Sequence, residues 1–134
     1  MSEHEEQRIL FEWALLNESH VPELWYLFAI PNGAKLPYRG KGKRRYSPEA
    51  MRLKEEGLKP GVPDVCLPVP NDVWHGMYIE MKFGKNTPTD KQEVWLHKLK
   101  SQGYYAAVCY GFVAAKEEIV KYLGLKEGQY IDMV

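Results

Sequence analysis

The sequence predicts an α/β fold, a mixed central sheet flanked by helices, and three observations carry that prediction. Short apolar runs of strand length alternate with stretches of helical periodicity. Two of the later runs are separated by a turn-rich link, as in a hairpin, and a third follows across a helix, as in a parallel crossover. The chain has 134 residues, 45% hydrophobic and 13% aromatic, which suits one folded domain over 1–134 with a core of its own.

The elements read as follows. Ser2 with Glu5 three residues later is a capping-box signature, and Ile9, Leu10, Trp13 and Leu16 behind it repeat at helical spacing, so residues 3–17 are predicted helical. Residues 24–30 form a short aromatic and apolar run that suits a buried strand, stopped by Pro31, Asn32 and Gly33. Residues 35–46 are polar and rich in glycine and base, which reads as a loop or flap. Ser47 followed by Pro48 and Glu49 marks a helix start, with an end at Gly57. Residues 62–69 and 77–83 are predicted as strands of an antiparallel hairpin joined by a turn over 70–76. Thr87 or Thr89 caps a helix to about Ser101, with Trp95 and Leu99 on one face; 104–110 is the last strand and 112–123 the last helix, closed by Gly124.

Net charge is zero, which argues against a generally adhesive nucleic-acid binder, yet the charge is segregated: residues 1–30 sum to −5 and residues 31–60 to +6. Six of the eleven residues from Lys35 to Arg45 are basic, namely Lys35, Arg39, Lys41, Lys43, Arg44 and Arg45, with Tyr38 and Tyr46 beside them. Such a segment suits a phosphate backbone, with tyrosine able to stack on an unpaired base and Asn32-Gly33 allowing close backbone approach. The ordinary alternative is a solvated loop. No apolar stretch reaches the ~18 residues of a membrane span. The acidic N-terminus is unlike a secretory signal, and Cys66, Cys109 and the histidines lack zinc-ligand spacing, so a cytoplasmic location without structural zinc is expected. Both cysteines read as buried small hydrophobes.

The chemistry-bearing residues lie in Gly61-Val62-Pro63-Asp64 and Ile79-Glu80-Met81-Lys82. Strand alternation sends Glu80 and Lys82 to one side and Met81 to the other. If the hairpin forms, Asp64 comes beside Glu80, making two carboxylates with an ammonium next to them. Like charges so placed call for a cation, and paired carboxylate oxygens are ligands that Mg²⁺ prefers. Glu-x-Lys alone is common on solvated strands, and Pro-Asp alone is turn chemistry; their combination in apolar strand contexts is what points to a site.

Taken with Ser2-Glu3-x-x-x-Gln7, Pro31-Asn32-Gly33, Lys59-Pro60, Thr89-x-x-Gln92 and Gly103-Tyr104, these motifs resemble the PD-(D/E)xK nuclease superfamily. Within it they resemble the virus-type replication-repair nuclease (VRR-NUC) domain over about residues 2–123. The resemblance implies a restriction-endonuclease-like core, dependence on Mg²⁺ with Mn²⁺ as a substitute, and cleavage of branched or flapped DNA. Stand-alone phage forms imply Holliday-junction resolution by a homodimer, for which residues 112–134 are a candidate interface. Asp64, Glu80 and the Met81 backbone carbonyl are then the expected metal ligands, and Lys82 assists the attacking water. Glu3 is the first-helix acid of the site, with Glu6 in competition, and Gln92 holds Lys82 or a phosphate. Flap, single-strand or exonucleolytic cleavage, a restriction-type enzyme, and a catalytically silent DNA-binding module of the same fold are the rivals.

Overall fold

The structure, a computed structural model, describes residues 1–32, 39, 40, 42 and 45–133. Gly33, Lys35, Tyr38, Lys41, Lys43 and Arg44, which the sequence assigns to the DNA-facing segment, lie outside the described residues.

Helix α1 spans Glu3–Asn17, and the Ser2 side chain accepts the Glu5 N–H at 3.2 Å as its N-cap. Its inner stripe, Leu10, Trp13 and Ala14, is buried, and Asn17 ends that stripe as a buried polar residue. The stretch 24–30 is corrected from a strand to two elements. Pro22–Tyr26 is a 3-10 turn and only Phe28–Ala29 is strand β1. The cause is visible in the burial: Leu24 and Leu27, three residues apart, are buried, while Trp25 and Tyr26 are exposed. Three residues per turn, started by a proline with its φ already fixed, matches that spacing.

Helix α2 is Pro48–Glu55, capped by the Ser47 hydroxyl, which accepts the Ala50 N–H. Strand β2 is Val65–Leu67 and β3 is Met77–Lys82. Helix α3 is Asp90–Ser101, β4 is Tyr105–Tyr110 and α4 is Phe112–Leu123. The sheet order is β1-β2-β3-β4, with β1 and β3 antiparallel to β2 and β4 parallel to β3. Helices α3 and α4 pack on β4, and α1 packs on α4 and β3. The expected hairpin and parallel crossover are therefore both present, as is the mixed α/β sheet. Strand β2 is shorter than the predicted 62–69 because Pro63 and Pro68 have no N–H to give a ladder.

Alternation along β2 and β3 gives the sheet two unlike faces. Val65, Leu67, Met77, Ile79 and Met81 join Leu10, Trp13, Ala115 and Ile119 in the principal core. Asp64, Cys66, Glu80 and Lys82 belong to the other face by register. Cys66 and Cys109 are both free and buried, and only Cys109 belongs to that core.

The C-terminal tail folds back on α1. Ile131 C=O accepts from Trp13 Nε1 and Asn17 Nδ2, each at 3.0 Å, and Ile131 N–H donates to Asn17 Oδ1 at 2.6 Å. Buried Lys116 of α4 pairs with Asp132, and Tyr130 meets Trp13 edge-on. Much of the segment considered for a dimer contact thus packs within the monomer. Among the described residues no helix is long and apolar enough to cross a membrane.

Gly61 fixes how the loop before Asp64 meets α3. Its φ is +91°, and a Cβ there would lie 2.8 Å from the Lys91 backbone. Gly57 has a φ of +109° but open space around the same position. Gly61→Ala should therefore cost roughly 2 kcal/mol or more in denaturant unfolding, against about 1 kcal/mol for Gly57→Ala, where only backbone strain acts.

Candidate metal-dependent active site

The register of β2 on β3 carries Asp64 to Glu80, one pair beyond Val65↔Ile79. Preceded by proline, Asp64 leaves the backbone ladder, and its side chain takes over: Asp64 Oδ2 accepts the Met81 N–H at 2.8 Å. On the other flank, the Ile30 N–H donates to the Asp64 carbonyl at 2.8 Å, tying the chain after β1 to the same residue. Asp64 is 3% exposed, Glu80 1% and Lys82 7%, so three ionisable side chains are buried together at the end of the sheet.

Burial is costly for such a group, and the Glu80 carboxyl shows the consequence. Its pKa is pushed up to about 8, first by desolvation, then by the charge and hydrogen bond of Asp64, with Lys82 pulling the other way and Glu3 adding to the rise. Lys82 Nζ lies 3.6 Å from Glu80 Oε2. Among the described residues Glu80 Oε1 is buried with no hydrogen-bond partner, a placement that costs free energy unless something fills it. Two carboxylates, one with an orphaned oxygen, in a place where their charges repel, form a donor set suited to a hard divalent cation. The cage is not completed by side chains alone: among the described residues no three His, Cys, Asp or Glu side chains gather to hold an ion. The remaining ligands would be backbone carbonyls or water, as the expectation for Met81 requires. The Met81 side chain itself is fully buried in the core.

The two acids of α1 separate clearly. Glu6 Oε1 accepts the Phe112 N–H at 3.2 Å, capping α4, and a Cβ on Gly111 would come within 2.6 Å of that oxygen. Glu6 thus joins α1 to the start of α4, whereas Glu3 is the acid whose charge acts on Glu80. Thr89 rather than Thr87 caps α3, and Gln92 is its reciprocal partner: Gln92 Oε1 accepts the Thr89 N–H at 2.9 Å, and the Thr89 hydroxyl accepts the Gln92 N–H. The Gln92 amide oxygen, assigned to Lys82 or a phosphate from the sequence, is engaged in this cap, one residue from the Lys91 backbone that Gly61 abuts.

Of the basic segment, Arg39 and Arg45 are described and both are exposed. Arg39 and Tyr46 exchange backbone hydrogen bonds in an isolated antiparallel bridge, and the Arg45 N–H donates to the Gly42 carbonyl. Asn32 lies elsewhere, in a cleft of about 340 Å³ between α1 and the turn after β1, and Asp64 is the buried wall of that cleft. His4, Gln7, Arg8 and Phe11 line the opposite side. Sequence reasoning singled out Gln7 but passed over His4, Arg8 and Phe11. Their spacing of 4, 7, 8 and 11, one stripe of the helix away from Leu10 and Trp13, is the signal that identifies them.

A family model described as the VRR-NUC domain matches residues 31–113, more than half of the chain. A solved structure of a VRR_NUC domain protein superimposes with a TM-score of 0.73 at 24% sequence identity, covering 94% of this chain and 91% of that one. The structural likeness therefore takes in α1, which precedes the matched residues. No curated protein matches the chain.

The pH dependence of stability without metal follows from Glu80. A carboxyl whose folded pKa is raised contributes its full stability below its unfolded pKa and loses it as pH rises through the folded value. Between the ordinary carboxyl value of 4.5 and about 8 the metal-free protein should lose stability, on the order of a few kcal/mol at most. Glu80→Gln should flatten that loss and raise the melting temperature of the metal-free protein at pH 8. Thermal melts across pH in chelator check it, and a parallel fall in both proteins would refute it.

Proposed function

The chain belongs to the VRR-NUC domain family, a nuclease-type domain, and from that premise we propose that it is a metal-dependent endodeoxyribonuclease acting on branched DNA. The observation that carries the reading is the buried Asp64–Glu80 pair, with an unpartnered Glu80 oxygen and the Lys82 ammonium 3.6 Å from the other.

Asp64, Glu80 and the Met81 carbonyl would hold Mg²⁺, with Mn²⁺ as a substitute. When bound, the ion lowers the pKa of a water and neutralises charge on the scissile phosphate. The residues of the chain do the remaining work. Asp64, pinned through one carboxylate oxygen by the Met81 N–H, is held opposite Glu80 by the strand register. Lys82 positions the attacking water and, as an ammonium, offsets negative charge that develops on the phosphate oxygens. Glu3 adds a further negative charge at the edge of the site, suited to outer waters of the ion. Hydrolysis is direct: the water oxygen forms the new P–O bond as the bond to the leaving 3′ or 5′ oxygen breaks. No serine, cysteine or tyrosine lies within the motif to form a covalent intermediate.

The basic residues Lys35, Arg39, Lys41, Lys43, Arg44 and Arg45, with Tyr38, would follow the phosphate backbone away from the site. A homodimer acting in the cytoplasm as a Holliday-junction resolvase is the form proposed for the enzyme, since two sites related by a twofold axis suit paired nicks across a four-way junction.

Labelled four-way junction, flap, single-stranded and linear duplex DNA, each with Mg²⁺, Mn²⁺ or chelator, test the proposal. Wild type should nick the junction symmetrically in a metal-dependent manner. Asp64→Ala and Glu80→Ala should abolish cleavage, and Lys82→Ala should lower kcat by about 10²-fold or more, as loss of a group that stabilises developing charge does. Cleavage restricted to flaps or single strands would keep the active site and remove the resolvase reading. Tight junction binding without any cleavage would make the chain a binding module of this fold.

A further inference from the structure

The cleft beside Asp64 is built from two segments that the metal site does not require. Along α1, His4, Gln7, Arg8 and Phe11 fall at intervals that place them on a single helix face. Facing them are Ile30, Pro31 and Asn32, held against the site because the Ile30 N–H donates to the Asp64 carbonyl. The cleft, about 340 Å³, falls at the small end of the range of ~300–1,000 Å³ for ligand pockets.

Its chemistry is mixed in a particular way. Arg8 and His4 can meet an anion. Gln7 and Asn32 can donate and accept at the edge of a heterocycle, and the Phe11 ring with Pro31 offers an apolar surface for a flat ring. Arg8 is exposed and pairs with Glu12 through one nitrogen, which leaves further donors of the guanidinium fork for a phosphate. Phe11 is half-buried, packed against the core on one side and lining the cleft on the other.

The geometry points to this cleft as the binding site for one unpaired nucleotide adjoining the scissile phosphate. It holds the base against Phe11 and a phosphate against Arg8. This deepens, and rests on, the nuclease reading of Asp64 and Glu80. A base inside a duplex is stacked on both faces and paired along its edge, so it cannot occupy such a site; a nucleotide at a flap or an open branch point can. The cleft therefore supplies a physical reason for preferring branched DNA. Selection acts on whether the nucleotide beside the cut can leave the stack.

The test places 2-aminopurine at the first unpaired nucleotide of a flap substrate, and at a paired position in a control duplex. Binding is followed in the Lys82→Ala protein with Mg²⁺. Stacking on Phe11 should quench the flap probe and leave the paired probe unchanged. Phe11→Leu, which keeps an apolar side chain against the core, should abolish the quenching. Arg8→Ala, a change at an exposed position, should weaken flap binding about tenfold and duplex binding little. In the wild-type background both changes should raise KM on flapped DNA more than they lower kcat. Equal quenching with Phe11→Leu, or equal loss of flap and duplex binding with Arg8→Ala, would overturn the inference. Should Phe11→Leu fail to fold, Gln7→Ala with Arg8→Ala carries the same comparison. Metal-dependent cleavage by wild type without probe quenching would refute the cleft and leave the nuclease standing. Quenching lost in Phe11→Leu without cleavage by wild type would refute the nuclease and leave the cleft.

Discussion

Met81 N–H donates to the Asp64 carboxylate at 2.8 Å, where a continuous β2 strand would have offered a carbonyl. Pro63 interrupts that strand and cannot donate to a ladder of its own. A side chain therefore completes the sheet at its most demanding point, and the acid that does so is immobilised beside Glu80. The same residue takes the Ile30 N–H on its carbonyl, so β1, β2 and β3 converge on Asp64. Sheet closure and site assembly are one event. A carboxylate that must accept a backbone hydrogen bond to satisfy the fold is also a carboxylate held rigidly for a ligand.

The surroundings carry the cost of this arrangement. Glu80 is almost wholly buried next to another acid, and its raised pKa expresses the work of keeping a charge there. A structure selected only for stability would replace such a pair with apolar residues. Its retention in the interior, beside a buried lysine, is the physical argument for function. The rest of the molecule stiffens the frame. Glu6 caps α4 from α1, Gly61 admits close contact with α3, and the tail locks α1 to α4 through Asn17 and Lys116.

Local chemistry made much of this legible beforehand. The caps at Ser2 and Ser47, the stops at Gly57 and Gly124, and the alternation of β3 each depend on a few adjacent residues and appear as expected. The stretch 24–30 misled because hydrophobicity alone does not separate a buried strand from a 3-10 turn with two exposed aromatics. Gln92 carried two compatible meanings, cap partner and site residue, and only its geometry reveals the bond to the Thr89 N–H.

The sequence by itself determined the class of fold, the hairpin and the crossover, and the two motifs that carry the acids and the lysine. Periodicity, turn residues and a resemblance spread over nearly the whole chain are all written in order along it. Only the tertiary structure decided which α1 acid adds its charge to the surroundings of Glu80 and which caps α4, because residues 3 and 6 differ by a rotation about the helix axis that packing alone fixes. It also decided that His4, Arg8 and Phe11 share a cleft with Asp64, since that neighbourhood gathers three segments distant in the chain, two of them tied by the Ile30 N–H to Asp64 carbonyl bond. Contacts of that kind depend on how elements dock, and no local pattern in the chain encodes them.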